Sequence, residues 1–504
     1  MTAELIFRDH RFAGAEIDAG AGKLAGGLAA LGVAEGDVVA VMLRNDPAFI
    51  EVIQACRVAG CFYCPINWHF KADEAGYILR DSDARVLIVH EDLLPNVADA
   101  VPEGMPVLVA PHFPDGQAEV ADPAHQDFRR WLSDQSPYEG PERMPRGHMP
   151  YTSGTTGRPK GVQRRAMSPE ERAAAQERIQ AVIEAAWGIV PGVRALVSAP
   201  LYHSAPSSFS AQAMLQGECL VLAPRFDPEE TLALIERHRV DTVYLVPIMY
   251  VRLLRLPEAV KRRYDLSSVR FVASTGAPCA PDVKQAMLDW WGPVIHETYA
   301  SSETGMITIQ DPESARRKPG SVGRPIGEAV IRIIGEDGHE CAPGEPGLIY
   351  CRQPAFSDFT YVNRPDAREA AELDGLATVG DVGYLDEEGY LYVCDRASDM
   401  VISGGVNIYP AEIEQVLHAM PGVGDCAVFG VPDEEYGESL AGMVETQDPT
   451  VTPESVRAFL AERIADYKIP RRIQLVTELP RDDNGKVAKH RLRERYWEGA
   501  NRRI

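Results

Sequence analysis

The sequence predicts an α/β protein: a large N-terminal domain of layered α/β subdomains with a β-rich subdomain, then a small α+β domain at the C-terminus. Three observations lead there. Over about the first 390 residues, short apolar runs alternate with helical stretches, and strands apolar on both faces with helices between them build largely parallel, covered sheets. Two glycine-rich β-type stretches follow, "PGSVGRPIGEAVIRII" and "GEPGLIYCRQ". Beyond "DRASDMVISGG" the pattern changes to helix, strand, helix, strand within about a hundred residues, the size of one domain.

In chain order, Leu24, Leu28 and Leu31 recur at helical spacing and "GDVVAVML" then runs apolar like a buried strand. The next strands expected are "RVLIVH" (85–90), "ALVSAP" (195–200), "CLVLAP" (219–224), "TVYLVP" (242–247) and "VRFVASTG" (269–276). Helices are expected from Ser168 in "SPEERAAAQERIQAVIEAAW" and from Asp227 in "DPEETLALIERH". The C-terminal piece reads as helix "PAEIEQVLHAM", strand "CAVFGV", helix "PESVRAFLAERIA" and strand "RRIQLVTEL". The boundary falls near Arg396 to Asp399, giving domains 1–396 and 397–504. No long pliant linker separates them, so any motion there is a hinge motion.

Composition excludes several classes. A net charge of −23 opposes general nucleic-acid binding, which needs a basic face to displace counterions. An anionic ligand must therefore be captured by local positive charge. No apolar run approaches the roughly 18 residues of a membrane span, so no integral membrane association is expected. "MTAELIFRDHRF" carries charges and no apolar leader core, which points to the cytoplasm. Nine scattered cysteines fit a reducing compartment. Cys61 and Cys64, in "CFYC", have redox or metal spacing, but without a second such pair they read as buried structural thiols.

The stretch "MPYTSGTTGRPKGVQ" from Met149 has the chemistry of an anion-holding loop. Glycines expose backbone N–H groups, the hydroxyls of Thr152, Ser153, Thr155 and Thr156 donate, and Lys160 supplies a point charge. It is not the kinase and GTPase phosphate loop. Proline precedes the lysine, Gly161 follows it, and the magnesium-binding hydroxyl after the lysine is missing. Taken alone, the same residues also describe a polar surface loop.

"YTSGTTGRPKGV" resembles the signature of the adenylate-forming enzymes, and the resemblance continues in order along the chain. "PLYHSAP" (200–206), "STGAPC" (274–279), "ETYASSETG" (297–305), "VGDVGYLDEEGYLYVCDRASDMVISGGVNIYPAEIE" and "LPRDDNGKVAKHRLR" are similar to the family's later blocks. The chain is identified as a member of the acyl- and aryl-CoA ligase branch. The resemblance implies ATP, Mg²⁺ and coenzyme A, and a small mobile C-terminal domain. It also implies a two-step reaction. A carboxylic acid is joined to AMP with loss of pyrophosphate, and a thiol then displaces AMP.

By this resemblance, Thr152, Ser153, Gly154, Thr155, Thr156, Gly157 and Lys160 cradle the β- and γ-phosphates. Glu303 holds Mg²⁺, a hard cation that prefers oxygen ligands; outside its block it would read as a helix-start charge. Gly276, Ala277 and Pro278 form the adenine-side loop, and Tyr299 stacks on adenine, with Thr298, Ala300, Ser301 and Ser302 around it. Asp381 accepts from the ribose hydroxyls and Arg396 reaches ribose or phosphate from the hinge, where Ser398 is the pivot. Lys486 bridges the incoming carboxylate and the α-phosphate; Lys489 is its competitor, and the Gly-Lys match selects Lys486. Gly404 and Gly405 leave width for the pantetheine arm. Arg471, with Arg472, contacts the CoA phosphates. The other basic pair, Arg164 and Arg165, reads as a solvated face. His203 separates the acid pocket from the thiol tunnel, or else is a structural hydrogen-bonder.

Three positions depart from the family pattern: Ala300 for a glycine, Ser302 for a threonine, and Ser398 for a hinge aspartate or lysine. The acid pocket is expected from His203, Ala205, Phe209, Met249, Tyr250, Thr275, Gly276, Ala300 and Ser301. No aspartate is placed to grip an amino group, so an apolar fatty, aryl-alkanoic or bulky steroid-like acid is expected rather than an amino acid. Two rivals stand beside the CoA ligase: an adenylating enzyme with another acceptor (a carrier-protein thiol or an amine), and a degenerate binding module. Intact Lys160, Glu303, Asp381, Arg396 and Lys486 oppose the second. A homodimer is one assembly the resemblance allows.

Overall fold

The computed structural model describes residues 3–111, 125–152, 159–277, 279–397, 399–403, 406–433, 436–481 and 487–497. The chain divides into two compact units. The first takes in Met1–Cys279, Val283–Ile331 and Cys351–Ala377; the second takes in Ala280–Asp282, Arg332–Tyr350 and Thr378–Ile504.

Two large sheets form the frame of the first unit. In the larger, Ile295–Glu297, Phe271–Ser274, Thr242–Leu245, Arg194–Val197, Cys219–Leu222 and Glu4–Phe7 lie side by side and parallel, and His10–Phe12 closes the edge antiparallel. The second sheet is all parallel, in the order Phe62–Pro65, Val38–Met42, Ala84–His90, Val107–Ala110, His125–Asp127. Its central strands show the layering expected of two-sided burial. Val39, Val41, Val86 and Ile88 face the main core, while Val38, Ala40, Leu87 and Val89 face a separate one. Each expected strand of this unit forms; Ala84–His90 ends where expected, and the others stop one to three residues early at the C-terminal end. Pro200, Pro224 and Pro247 lie just beyond three of these ends, consistent with proline's lack of a ladder donor. The helices begin where their caps predict. Ser168 accepts from the Glu171 N–H and Asp227 from the Glu230 N–H at the starts of Pro169–Trp187 and Pro228–His238.

Five elements of this unit position the site: helix α1 (Ala72–Asp81), strands β1 (Tyr151–Thr152) and β2 (Lys160–Arg164), helix α2 (Ser204–Gln216) and strand β3 (Phe359–Tyr361). β2 is the middle strand of a small antiparallel sheet between β3 and β1.

In the second unit, β4 (Asp381–Leu385) pairs antiparallel with β5 (Leu391–Arg396). The α+β piece contains α3 (Pro410–His418), the long hairpin Asp425–Asp433 with Gly437–Glu445, helix Pro453–Ala461, strand Arg472–Val476 and helix α4 (Lys489–Trp497). Two of these elements were not anticipated. "GESLAGMVE" is rich in small and acidic residues, yet its backbone pairs along the whole of Asp425–Asp433. α4, "KHRLRERYW", has few apolar residues to signal a helix.

Candidate active site

The signature loop leaves from β1 and returns into β2. Tyr151 lies opposite Gly161 and Thr152 opposite Lys160. A Cβ at Gly161 would come within 2.8 Å of the Tyr151 ring, so glycine lets the two strands close. Both stems are tied to one face of α1. Tyr151 donates its hydroxyl to Asp81 at 2.8 Å, and Tyr77, one helical turn earlier, donates to the Pro159 carbonyl at 2.9 Å. Burial drives the Tyr151 phenol far above its ordinary range, so it is a neutral donor at any physiological pH. Ser153, Gly154, Thr155, Thr156 and Gly157 lie outside the described residues, as do Pro278, Ser398, Gly404, Gly405 and Lys486.

Glu303 sits in a tight hairpin. Ala300–Ser301 pairs antiparallel with Gly305–Met306, and Ser301 Oγ accepts from the Thr304 N–H at 2.9 Å. Gly305 adopts φ +80°, where any Cβ would also meet the Phe356 ring at 2.8 Å. The hairpin buries Glu303, and its Oε1 accepts two hydroxyls, from Thr152 at 3.0 Å and Tyr361 at 3.2 Å. Burial, and then the nearby Glu303 charge, push the Tyr361 phenol up. Lys160 Nζ lies 4.6 Å above the same tyrosine ring.

Glu303 makes no ion pair among the described residues, although it is 6% exposed. Both hydroxyls bond Oε1, which leaves Oε2 without a hydrogen bond among the described residues; a carboxylate so placed suits a hard divalent cation, and the residues present fit Mg²⁺.

Around this centre, Thr275 Oγ1 donates to the Thr298 carbonyl at 2.8 Å, joining the "STGA" turn to the strand that leads into Tyr299. Gly276 adopts φ +90° and, with Ala277, presents exposed backbone. Tyr299 is half-buried, its carbonyl accepting from the Ile307 N–H at 2.9 Å. Ser302 Oγ meets Ser204 Oγ at 2.8 Å, linking the Glu303 hairpin to the first residue of α2. Separately, within the second unit, Asp381 and Arg396 are directly paired across β4 and β5, with Nε to Oδ1 at 3.5 Å.

His203 is the N-cap residue of α2, half-buried, with its ring centroid 4.4 Å from that of Tyr202. Ala205 is half-buried one residue into the helix, while Phe209 is wholly enclosed between Trp187 and Tyr244. Met249 and Tyr250 are buried on the helix Pro247–Leu254. Ser207 is not left as an open pocket hydroxyl. It accepts from Tyr63 at 3.3 Å and donates to the His203 carbonyl at 2.9 Å. Ser208 faces His148 Nδ1 at 3.4 Å, and burial pulls that imidazole down to about 4, so it is neutral.

In the second unit, Lys489 is held in an ion pair. It opens α4 and binds both Glu414 oxygens, Oε1 at 2.8 Å and Oε2 at 2.9 Å. Burial would lower its pKa, yet the Glu414 and Asp395 carboxylates push it higher still. It serves a buried ion-pair cluster. Arg471 is exposed, bound to Asp433 at 3.2 Å and stacked 4.4 Å above the exposed Tyr436 ring.

Sequence reasoning missed Tyr77, Asp81 and Tyr361, which are remote from the signature and carry no motif of their own. It also misplaced Arg164. Rather than facing solvent, Arg164 donates to the Ser302 and Glu303 carbonyls at 3.0 Å each and to the Ser357 carbonyl at 2.9 Å. An arginine in strand position after the loop lysine, beside one that caps onto an acidic helix start, is the signal that could have found it.

Comparisons with known proteins agree with this geometry. The family model described as AMP-binding enzyme matches residues 2–358, and its C-terminal domain model matches residues 412–486. A feruloyl-CoA synthase of Amycolatopsis sp is 35% identical over 96% of this chain and 93% of its own length. A long-chain-fatty-acid–CoA ligase of Mycobacterium tuberculosis is 32% identical over 97% and 94%. Among solved structures, the o-succinylbenzoate CoA synthetase of Bacillus subtilis, in complex with its acyl-adenylate intermediate, superposes with a TM-score of 0.79. It is 29% identical, covering 97% of this chain and 95% of that one.

Proposed function

The chain belongs to the AMP-binding enzyme family, and on that footing we propose its full reaction and the residues that perform it. The protein is an ATP-dependent carboxylic acid–CoA ligase. A carboxylate oxygen bonds to the α-phosphorus as the bond to pyrophosphate breaks, giving an acyl-adenylate. The CoA sulfur then bonds to the acyl carbon, the acyl–oxygen bond to AMP breaks, and the thiol proton passes to solvent. Positioning and charge neutralisation do most of the work, because both steps bring anions together.

The observation that carries the reading is the buried Glu303 carboxylate, held by neutral hydroxyls from the loop stem and β3 with no ion pair among the described residues. Bound there, Mg²⁺ would supply charge stabilisation on the phosphate oxygens. Thr152 to Lys160 hold the phosphates, with Lys160 steadied over the Tyr361 ring. Thr298 to Ser302 and Gly276 to Pro278 frame the adenine, and the Asp381–Arg396 pair takes the ribose. Lys486 is the cation for the adenylation step, since Lys489 is committed to Glu414. Gly404 and Gly405 admit the pantetheine arm, and the Arg471–Tyr436 stack suits the phosphates and adenine of CoA.

The domains 1–396 and 397–504, with their pivot at Ser398, belong to the same proposal, which sets the pivot just after β5 and inside the second unit. The acid is a neutral-tailed one, taken between the start of α2, the helix Pro247–Leu254 and the Ala300–Ser301 strand. Among the described residues no helix is long and apolar enough to cross a membrane. All nine cysteines are free thiols, which supports the cytoplasm as the setting; a homodimer is the assembly proposed.

The test is pyrophosphate release with ATP, Mg²⁺ and a panel of carboxylic acids, with and without CoA. Lys486→Ala is expected to lose adenylation and still convert supplied acyl-adenylate to thioester. Equal loss of both half-reactions, or preference for amino acids, would refute the assignment.

A further inference from the structure

The basic pair that follows the signature loop splits in two. Arg165 is exposed and grips Glu171 with its two terminal guanidinium nitrogens, at 2.9 and 3.1 Å. Arg164 turns inward from the end of β2. Its Nη2 donates at 3.0 Å to the carbonyls of both Ser302 and Glu303, and its Nη1 at 2.9 Å to the carbonyl of Ser357. The guanidinium carbon lies 5.7 Å from the Phe356 ring centre, the residue that also backs Gly305 in the Glu303 hairpin.

Two features set this arginine apart from an ordinary buried one. First, its hydrogen bonds go to carbonyls on two separate segments, 302–303 and 357, which only a planar fork of several donors can span at once. Second, its N–H groups bond the Glu303 backbone and leave the carboxylate to hydroxyls, so its charge acts on that carboxylate through space and not by contact. The loop strand thus grips Glu303 at both ends. Thr152, on the outgoing stem, holds its carboxylate, and Arg164, on the returning strand, holds its backbone. Tyr361, on the neighbouring β3, fixes the same carboxylate oxygen from the other side.

We propose that Arg164 is a positioning residue for adenylation. It locks the Ser302–Glu303 backbone to the strand returning from the phosphate loop, so that Glu303 presents one fixed orientation to a metal–nucleotide complex. The proposal rests on the reading of Glu303 as the magnesium-holding residue.

The experiment compares wild type, Arg164→Met, Arg164→Lys and Arg165→Met by three readouts. The first is binding of Mn²⁺ with a non-hydrolysable ATP analogue, followed by electron paramagnetic resonance. The second is acid-dependent pyrophosphate exchange against free Mg²⁺, and the third is thioester formation from supplied acyl-adenylate. Arg164→Met is expected to weaken Mn²⁺ binding and raise the Mg²⁺ requirement together, by about tenfold, and to leave the third readout unchanged. Arg164→Lys keeps the charge but cannot span both segments, so its shift lies between; Arg165→Met matches wild type. Unchanged Mn²⁺ affinity in Arg164→Met, or parallel loss in both half-reactions, overturns the proposal. If Arg164→Met does not fold, wild-type Mn²⁺ affinity in Arg164→Lys overturns it equally. Wild type that binds the metal–nucleotide probe but shows no acid-dependent exchange refutes the ligase reading and leaves the role of Arg164 to be read from the binding series.

Discussion

Each unit withdraws a carboxylate from solvent, Glu303 fully and Glu414 in large part, and the two are partnered differently. Glu303, in the first unit, is surrounded by hydroxyls and held through its backbone by Arg164. Glu414, in the second, is locked against the ammonium of Lys489 and also accepts the Val428 N–H at 2.6 Å. A buried charge closed off by its opposite has its field cancelled and serves to fix structure. One met directly only by neutral hydroxyls, with Arg164 acting on it through space and not by contact, keeps more of its field for a ligand. Lys489 is engaged by the fold through Glu414, and on the proposed reading the adenylation cation is Lys486.

The largest effect that could break this contrast is at Glu303. Glu303→Gln keeps the shape and both hydroxyl partners but removes the charge. It should lower acid-dependent pyrophosphate exchange about 100-fold or more with little change in melting temperature. A large fall in stability with proportionate loss of activity would place Glu303 with the structural carboxylates.

Next is Lys489→Met, which strands Glu414. Urea unfolding should show a loss of about 3 kcal/mol, and the double variant Lys489→Met/Glu414→Leu should recover part of it. A stable Lys489→Met with lost adenylation would instead exchange the roles of Lys486 and Lys489.

The third effect is a pH dependence. Burial raises Asp395 to about 6, with Lys489 pulling the other way. Its folded pKa exceeds the unfolded value, so the stability it contributes is present below the unfolded pKa of about 4 and lost as pH rises through about 6, at most roughly 2–3 kcal/mol. Asp395→Asn should flatten unfolding free energy against pH over that window; an unchanged slope would show that another group governs it. The smallest effect is at Arg165. Its surface pairing with Glu171 is worth little, so Arg165→Met should melt and turn over like wild type, and a clear loss in either assay would mean that the basic pair does not divide as described.

Much of the fold was legible because two-sided burial leaves a direct trace: runs such as "VRFVASTG" and "TVYLVP" have no polar face to hide. Caps at Ser168 and Asp227 fixed helix starts for the same local reason. The hairpin strand Gly437–Glu445 escaped because its small and acidic residues carry no period, and only pairing with Asp425–Asp433 makes it a strand. At the site, residues within the ordered blocks were legible, while those acting across the fold were not. Tyr361 reaches Glu303 because β3 pairs with β2, and Tyr77 reaches Pro159 because α1 lies against the loop stem. Phe209 was expected to line the acid pocket, yet helical geometry turns it between Trp187 and Tyr244.

The central claim is that this chain cleaves ATP between the α- and β-phosphates at the expense of a carboxylate, before any thiol is present. The direct measurement is product analysis with α-labelled ATP, Mg²⁺ and an acid panel, first without CoA and then with it. The account predicts acid-dependent pyrophosphate and a bound acyl-adenylate in the first stage, then free AMP and a CoA thioester in the second. Release of ADP and orthophosphate, or no acid dependence with any member of the panel, would contradict it.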